Sequence, residues 1–250
     1  MSEAPHVIVL GTGGAGFTAA IAAHESGARV SLFEKGDQVG GTTAWSGGMI
    51  WIPNNHHEAT LGVEDSREKA LTYLMSMSHG LMQQHLIEAF LDHGPEMVAF
   101  LEANTPVQFR PIPEFPDYHA EFPGGMPHGG RSLDCPLYSF HELGDWADKV
   151  TLSPYYPMPY FSIYDTPLGQ AKPQPLTAEE LQRRIDADLR GSGQALVGRL
   201  LRACLDRGIE PKTGHRAVRL LMDEERVAGA AFETPDGPIA VAADAVILAT

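Results

Sequence analysis

Cysteine is nearly absent from the sequence. Cys135 and Cys204 are the only two in 250 residues, and they stand in no metal-binding or redox spacing. They read as two reduced thiols rather than a bridge. No C-x-x-C-H motif occurs, so a haem attached in that way is not expected. Basic residues are also scarce, with 18 Lys and Arg against 32 Asp and Glu and a formal net charge of −14. That balance argues against nucleic acid and against an anionic membrane surface as partners, and its plain meaning is solubility. No apolar run reaches transmembrane length. Met1-Ser2-Glu3-Ala4-Pro5 has neither a basic n-region nor an apolar h-region, so no signal peptide is expected and the expected location is cytoplasmic. The length suffices for one large core or two small ones.

What the sequence does have begins at its start. His6-Val7-Ile8-Val9-Leu10 is an apolar run bounded by glycine, the pattern of a buried strand. Gly11-Thr12-Gly13-Gly14-Ala15-Gly16 follows, with Gly11, Gly13 and Gly16 in the G-x-G-x-x-G spacing. Gly11 permits a tight turn, Gly13 lets the backbone approach a pyrophosphate, and Gly16 lets a helix pack close on the sheet. Residues 17–26 read as that helix, with Gly27 as its C-terminal cap. The free N–H groups at its start, from Gly14, Ala15 and Gly16, favour a diphosphate. Residues 30–33 read as a second strand. Glu34 ends it, 18 residues after Gly16, where a carboxylate can accept from both ribose hydroxyls.

The next stretch, from Lys35 to Asn55, is again rich in glycine. Its part up to Gly48 holds five glycines and three hydroxyl side chains, a backbone that can lie against a flat ligand and donate to it. A nicotinamide cofactor has little use for such a segment directly after the acid. FAD is longer and needs groups along its ribityl chain and under its isoalloxazine. The segment therefore predicts FAD, and Lys35, Gly41, Thr42, Thr43, Ser46, Gly47 and Gly48 are its further candidate contacts.

Together, Gly11 to Gly16, Glu34-Lys35, Gly40-Gly41-Thr42-Thr43 and Ser46-Gly47-Gly48 resemble the flavoprotein family of succinate dehydrogenase and soluble fumarate reductase. Within it, Ser46-Gly47-Gly48-Met49-Ile50-Trp51-Ile52-Pro53-Asn54-Asn55 most resembles the FAD-dependent 3-ketosteroid dehydrogenases. The resemblance covers the whole chain, densely at both ends and loosely in the middle. It implies an α/β fold, a Rossmann-type FAD-binding domain made of a parallel sheet and a three-stranded antiparallel meander. The nucleotide-binding core would be residues 1–55 and 192–250, with a helical, Pro/Tyr-rich insertion at 56–191. Membrane-bound members attach FAD through a histidine in this glycine segment. Here the segment has Trp45 and no histidine, so FAD is expected to be held non-covalently.

The middle of the chain is less periodic. Residues 65–104 read as two or three helices, capped at Ser66 and broken at Gly94-Pro95. Their methionines read as core filler rather than a binding surface. Residues 105–175 hold thirteen prolines and six of the seven tyrosines, which points to loop-rich structure too aromatic to be disordered. This part is expected to cover the flavin. Its most apolar stretch, 152–164, leaves three readings open: a pocket for a large apolar substrate, a peripheral membrane contact, or packing on a further domain. Thr177-Ala178-Glu179-Glu180 is a capping-box start. Residues 194–207 read as a helix, 209–213 as a short strand, and the rest as a meander turning at Asp223-Glu224-Glu225 and Pro235-Asp236-Gly237. In the family that the chain resembles, the segment at Ala217-Val218 makes backbone contacts to adenine, a role carried here to those two residues. The last residues, through Ala249 and Thr250, form a parallel-type strand that should feed a ligand crevice. A chain that stops there is expected to be the N-terminal part of a longer one, with the substrate-capping domain further on.

Pro116-Asp117-Tyr118-His119, Pro123-Gly124-Gly125 and Gly130-Arg131-Ser132-Leu133 resemble a stretch of the 3-ketosteroid Δ1-dehydrogenases. The resemblance implies that Tyr118 lines the pocket and hydrogen-bonds a tyrosine base encoded later. Dehydrogenation beside a ketone needs a carbonyl donor, a base for the α-proton and flavin N5 as hydride acceptor. An external acceptor, a quinone or another, would then reoxidise the flavin. Two relatives of that reaction stay open: a fumarate-reductase-like enzyme on a small dicarboxylate, and a Δ4-(5α)-dehydrogenase. A non-catalytic flavin-binding fragment is the third reading. Arg131 reads as a structural ion pair before a carboxylate ligand, and His119 as a loop histidine. His56-His57-Glu58 has no second ligand cluster in the sequence, so no metal is expected.

Overall fold

The computed structural model describes residues 4–154, 159–170 and 172–250. The first three residues and the centre of the apolar stretch 152–164 therefore lie outside the described residues. Along the chain run β1 (His6–Leu10), α1 (Gly14–Glu25), β2 (Arg29–Phe33), α2 (Gly41–Trp45), β3 (Ile50–Trp51), α3 (Arg67–Ser78), α4 (Gln84–Asn104), β4 (Arg110–Pro113) and β5 (Gly129–Asp134). There follow the two-residue strands β6 (Tyr138–Ser139) and β7 (Leu189–Arg190), with α5 (Ala178–Asp186) between them and α6 (Ser192–Asp206) after. The chain closes with β8 (Arg216–Asp223), β9 (Arg226–Glu233), β10 (Ile239–Ala242) and β11 (Ala245–Leu248). It divides into two compact units. One holds residues 1–46, 139–159 and 196–250, the other 47–138 and 160–195. Residues 139–159, read from sequence as part of the insertion, thus fall with the first unit, and 47–55 and 192–195 with the second.

In the first unit β1 is the middle strand of a parallel sheet, flanked by β11 and β2. Val7 pairs with Ala245 on one side and Val30 on the other. Both faces of β1 are covered, so Ile8 and Val9 have no exposed surface, as expected for a parallel strand. α1 buries Phe17, Ala20 and Ile21. β8, β9 and β10 form the antiparallel meander, in the order β10-β9-β8. Its Ala230 and Phe232 pack on Ile8, Leu10 and Phe33 of the parallel sheet, and the Phe33 and Phe232 rings stack at 4.2 Å.

Two sequence expectations give way. Residues 209–213 do not form a strand. Lys212 alone bridges the edge of β2, donating to Leu32 O and accepting from Glu34 N, each at 2.9 Å. Gly94-Pro95 does not break the helical run, for α4 continues through it for 21 residues. Proline clashes with the Cβ of the residue before it, and here that residue is glycine, which has none. The apolar stripe of Leu91, Val98 and Leu101 is buried on both sides of the proline and outweighs one lost hydrogen bond. Elsewhere in the second unit, Ser66 caps α3 by accepting from Lys69 N, and Thr177 caps α5 by accepting from Glu180 N. β5 lies between β3 and β4 in a three-stranded antiparallel sheet and is buried throughout. No helix among the described residues is long and apolar enough to cross a membrane.

The seat of α1 on the sheet is set by Gly11 and Gly16. Gly11 has φ of +104°, and a Cβ on Gly16 would lie 1.9 Å from the Gly11 carbonyl oxygen. Neither atom belongs to a flexible side chain, so a larger residue must lift the helix. Gly16→Ala is expected to cost about 1–3 kcal/mol, measured by denaturant unfolding. An unchanged unfolding midpoint would show that α1 is not seated this closely.

Candidate functional site

The carboxyl ends of β1, β2 and β11 and the amino end of α1 surround a cavity of about 630 Å³. Ligands of open α/β sheets bind at such strand ends. Of the residues expected to hold the cofactor, Gly11, Gly13, Glu34, Lys35, Gly41, Thr42, Ala217, Ala249 and Thr250 line it. Gly14, Ala15 and Gly16 form the first turn of α1 behind the rim. Thr43 does not line the cavity. Its Oγ1 accepts from Gly14 N at 2.9 Å and so ties α1 to α2. Ser46 donates from Oγ to Thr43 O at 2.9 Å. Val218 is half exposed on β8 and off the lining. Gly47 and Gly48 fall in the second unit. There a Cβ on Gly48 would meet Gly193 N and Ser192 C at 2.5 Å, so backbone packing already demands glycine at 48.

Several lining residues were not among the expected contacts: Thr12, Gln38, Trp45, Thr151, His215 and Arg216. Thr12 is the variable position inside the glycine triplet, yet it fixes Glu34. Thr12 donates to Glu34 Oε2 from its amide at 3.1 Å and from Oγ1 at 2.5 Å, and Gly36 N donates to Oε1 at 2.9 Å. A carboxylate offers about four acceptor positions. Accepting from both hydroxyls of a ribose as well requires Thr12 Oγ1 to turn away. Thr151 and Trp45 are brought together because Val39 bridges Val150, and Trp45 Nε1 donates to Thr151 Oγ1 at 3.1 Å.

Gly13 gives the test of fit to FAD. Its φ of −74° suits any residue, and a Cβ there would meet only Thr43 Oγ1, at 3.4 Å. Nothing within the protein demands glycine at 13. What its absent side chain leaves is open backbone on the cavity wall, at a helix start where amides favour phosphate. The residues present fit a dinucleotide.

The second unit has its own cavity, of about 280 Å³, walled by Met49, Ile50, Trp51, Tyr73, Leu74, Met77 and Phe115, with Tyr118 and His119 at Asp117. Tyr118 is 87% exposed. Behind the wall lies a buried ion cluster. Arg131 has no exposed surface and donates to both oxygens of Asp65 at 2.7 Å and to Asp117 Oδ2 at 2.8 Å. Asp117 Oδ1 accepts from Trp51 Nε1 at 2.7 Å. The guanidinium lies 5.5 Å from the Trp51 ring and 5.4 Å from the Tyr73 ring. The rings that face the cavity are thus positioned by Arg131. With Asp65 and Asp117 on it, Arg131 stands as a structural ion pair.

Burial would raise the Asp65 carboxyl, but the Arg131 hydrogen bonds and charge hold it below the usual carboxylate range. Glu58 beside it receives no hydrogen bond from Arg131, only one from the Asn55 side chain at 3.2 Å and backbone donors. Burial, and then the Asp65 charge, push it up to about 7. A further group, His56, His57 and Glu102, brings three metal-binding side chains within 4.8 Å of one another.

Residues 6–250 match the family model described as FAD binding domain. The 4-oxocyclohexanecarboxylate 2-dehydrogenase of Sinomonas cyclohexanicum is 35% identical over 98% of this chain and 42% of its own length. The 3-oxosteroid 1-dehydrogenase of Mycobacterium tuberculosis (strain ATCC 25618 / H37Rv) is 41% identical over 60% of this chain and 26% of its own. Among solved structures, the 3-ketosteroid delta1-dehydrogenase from Sterolibacterium denitrificans, in complex with 1,4-androstadiene-3,17-dione, superposes with a TM-score of 0.83 at 29% identity, covering all of this chain and 48% of that one. The chain spans less than half the length of these relatives. It belongs to the FAD binding domain family, and its cofactor is FAD.

Glu58 generates a prediction. Below its ordinary value of 4.5 both folded and unfolded states hold the proton. As pH rises from there to about 7 the unfolded state releases it first, so stability falls across that window and levels off above it. Glu58→Gln removes this loss. The thermal midpoint of the variant is expected to gain on the parent between about pH 5 and pH 8. A gap that is flat or narrows with pH would show that Glu58 is not held protonated.

Proposed function

We propose that this chain is the FAD-binding part of a dehydrogenase that desaturates ring A of a 3-ketosteroid, introducing the Δ1 double bond. The observation that carries the reading is the apolar cavity bearing Tyr118. Its described lining holds no arginine or lysine, and the nearby Arg131 is committed to Asp65 and Asp117. A small dicarboxylate asks for free cations, so the fumarate-reductase-like alternative has less support. The likeness to a Δ1-dehydrogenase over the full chain supports the same reading.

FAD, when bound, supplies the hydride acceptor. Gly11, Gly13, Gly14, Ala15 and Gly16 hold its diphosphate, Glu34 and Lys35 its ribose end, Ala217 and Val218 its adenine. Gly41, Thr42, Thr43, Ser46, Gly47 and Gly48 lie along its length, and Ala249 and Thr250 end at it. Trp45 replaces the histidine of covalent relatives, so the attachment is non-covalent. Tyr118 is the pocket tyrosine that hydrogen-bonds the base. Its neutral phenol is cheap to cover by an apolar substrate and can both accept and donate a proton. In the 3-ketosteroid dehydrogenases that the chain resembles, the base itself and the groups that hold the ketone come from later sequence. An external acceptor, a quinone or another, takes the electrons, and the protein works in the cytoplasm.

One observation favours a second reading. The relative that matches 98% of this chain is named for a one-ring ketone that carries a carboxylate. The chemistry beside the ketone is the same, and the substrate is smaller.

Two measurements test these readings. The full-length flavoprotein is mixed anaerobically with androst-4-ene-3,17-dione, a 5α-saturated 3-ketosteroid, 4-oxocyclohexanecarboxylate and succinate, and flavin bleaching is followed. Bleaching by the androstenedione is expected. Bleaching only by the 5α-saturated steroid would move the reaction to Δ4-(5α), only by the cyclohexanone would select the one-ring reading, and only by succinate would overturn the ketone chemistry. Separately, Tyr118→Phe is expected to slow flavin reduction about tenfold or more while FAD stays bound. An unchanged rate would remove Tyr118 from proton handling.

A further inference from the structure

We infer that the second unit carries a transition-metal site, built from His56, His57 and Glu102. The sequence offers no partner for the two adjacent histidines, and the fold supplies one from the far end of α4. His56 Nε2 lies 2.9 Å from Glu102 Oε2, and His57 Nε2 lies 2.9 Å from Oε1 and 3.1 Å from Oε2. Two imidazoles and one carboxylate are a ligand set that zinc takes, with water as the fourth ligand. A tetrahedral ion with Zn–N of about 2.0–2.1 Å and Zn–O of about 2.0–2.2 Å holds its donors about 3.3–3.5 Å apart. The separations of the two imidazoles from the carboxylate need to open by only a few tenths of an ångström, and all three donors already lie within 4.8 Å of one another.

The surroundings hold the donors in place before any ion arrives. Phe109 N donates to Glu102 Oε1 at 2.9 Å and fixes the carboxylate. Asn55 Oδ1 accepts from His57 N at 3.0 Å, and His57 O accepts from Thr60 Oγ1 at 2.6 Å, so the histidine backbone is pinned on both sides. Such supporting hydrogen bonds orient metal ligands. The side chains of His57 and Glu102 are 17% and 20% exposed, while His56 is 52% exposed. The site is thus partly buried with one open side, by which an ion enters and where the fourth ligand is water. It is a site for a divalent first-row ion that favours imidazole, with Zn²⁺ as the probe.

The test uses the full-length, FAD-loaded protein without an affinity tag, stripped with a chelator. Zn²⁺ is titrated by calorimetry and by competition with a chromophoric chelator, and the thermal midpoint is read with and without the ion. One equivalent is expected to bind and to raise the midpoint. Its affinity should fall about tenfold or more in His57→Ala and Glu102→Gln, and stay the same in His128→Ala, which lies elsewhere on the surface. The flavin spectrum reports that each variant is folded. Should His57→Ala fail to fold, His56→Ala, whose ring is half exposed, carries the same comparison. No bound equivalent, or an affinity unmoved by the ligand variants, overturns the site.

Discussion

The structure of the first unit depends on one backbone contact, that of α1 against the loop leaving β1. With hydrogen in place of a side chain at Gly16, the helix comes down on the Gly11 carbonyl. Only at that distance does the start of α1 close on the ends of β1, β2 and β11 around one cavity. Gly11 contributes twice, through its positive φ and because a Cβ there would lie 2.5 Å from Ala249 O, just past the end of β11. Glu34 is then turned to the same cavity by two donors from Thr12, a residue of the very turn that these glycines make possible. Helix start and carboxylate are thus brought to one cavity through a contact that no side chain could share.

The second unit is held differently. It contains long stretches with little regular structure, and there side chains take the place of backbone ladders. Arg131 ties Asp65 to Asp117, and Asp117 holds Trp51. Arg110 lies 3.6 Å over the Tyr164 ring, whose hydroxyl donates to Pro111 O at 2.5 Å. Arg184 joins Asp165 and Glu180. Burying a charge costs several kcal/mol unless it is paired and hydrogen-bonded. A two-pronged contact such as Arg131 on Asp65 meets that demand in one geometry only. The loops therefore adopt a single shape although they have few ladder bonds, and the cavity wall at Trp51 and Tyr73 inherits it.

Sequence alone determined the strand, triplet, helix and acid of the nucleotide cleft, and with them the family. Those features are local: a turn's φ, a helix start and a strand's apolar run are dictated by neighbours within about twenty residues. The meander was legible for the same reason, since its turns carry their own residues. The tertiary structure alone decided the rest. It set Glu102 against His56 and His57, Asp65 and Asp117 on Arg131, and Thr12 on Glu34, pairs separated by 14 to 66 residues. It also carried α4 through Gly94-Pro95, because burial on both sides outweighed a local breaker. A sequence displays what each residue prefers beside its neighbours. Which distant charge it meets is fixed only when packing excludes water and makes an unpaired group costly.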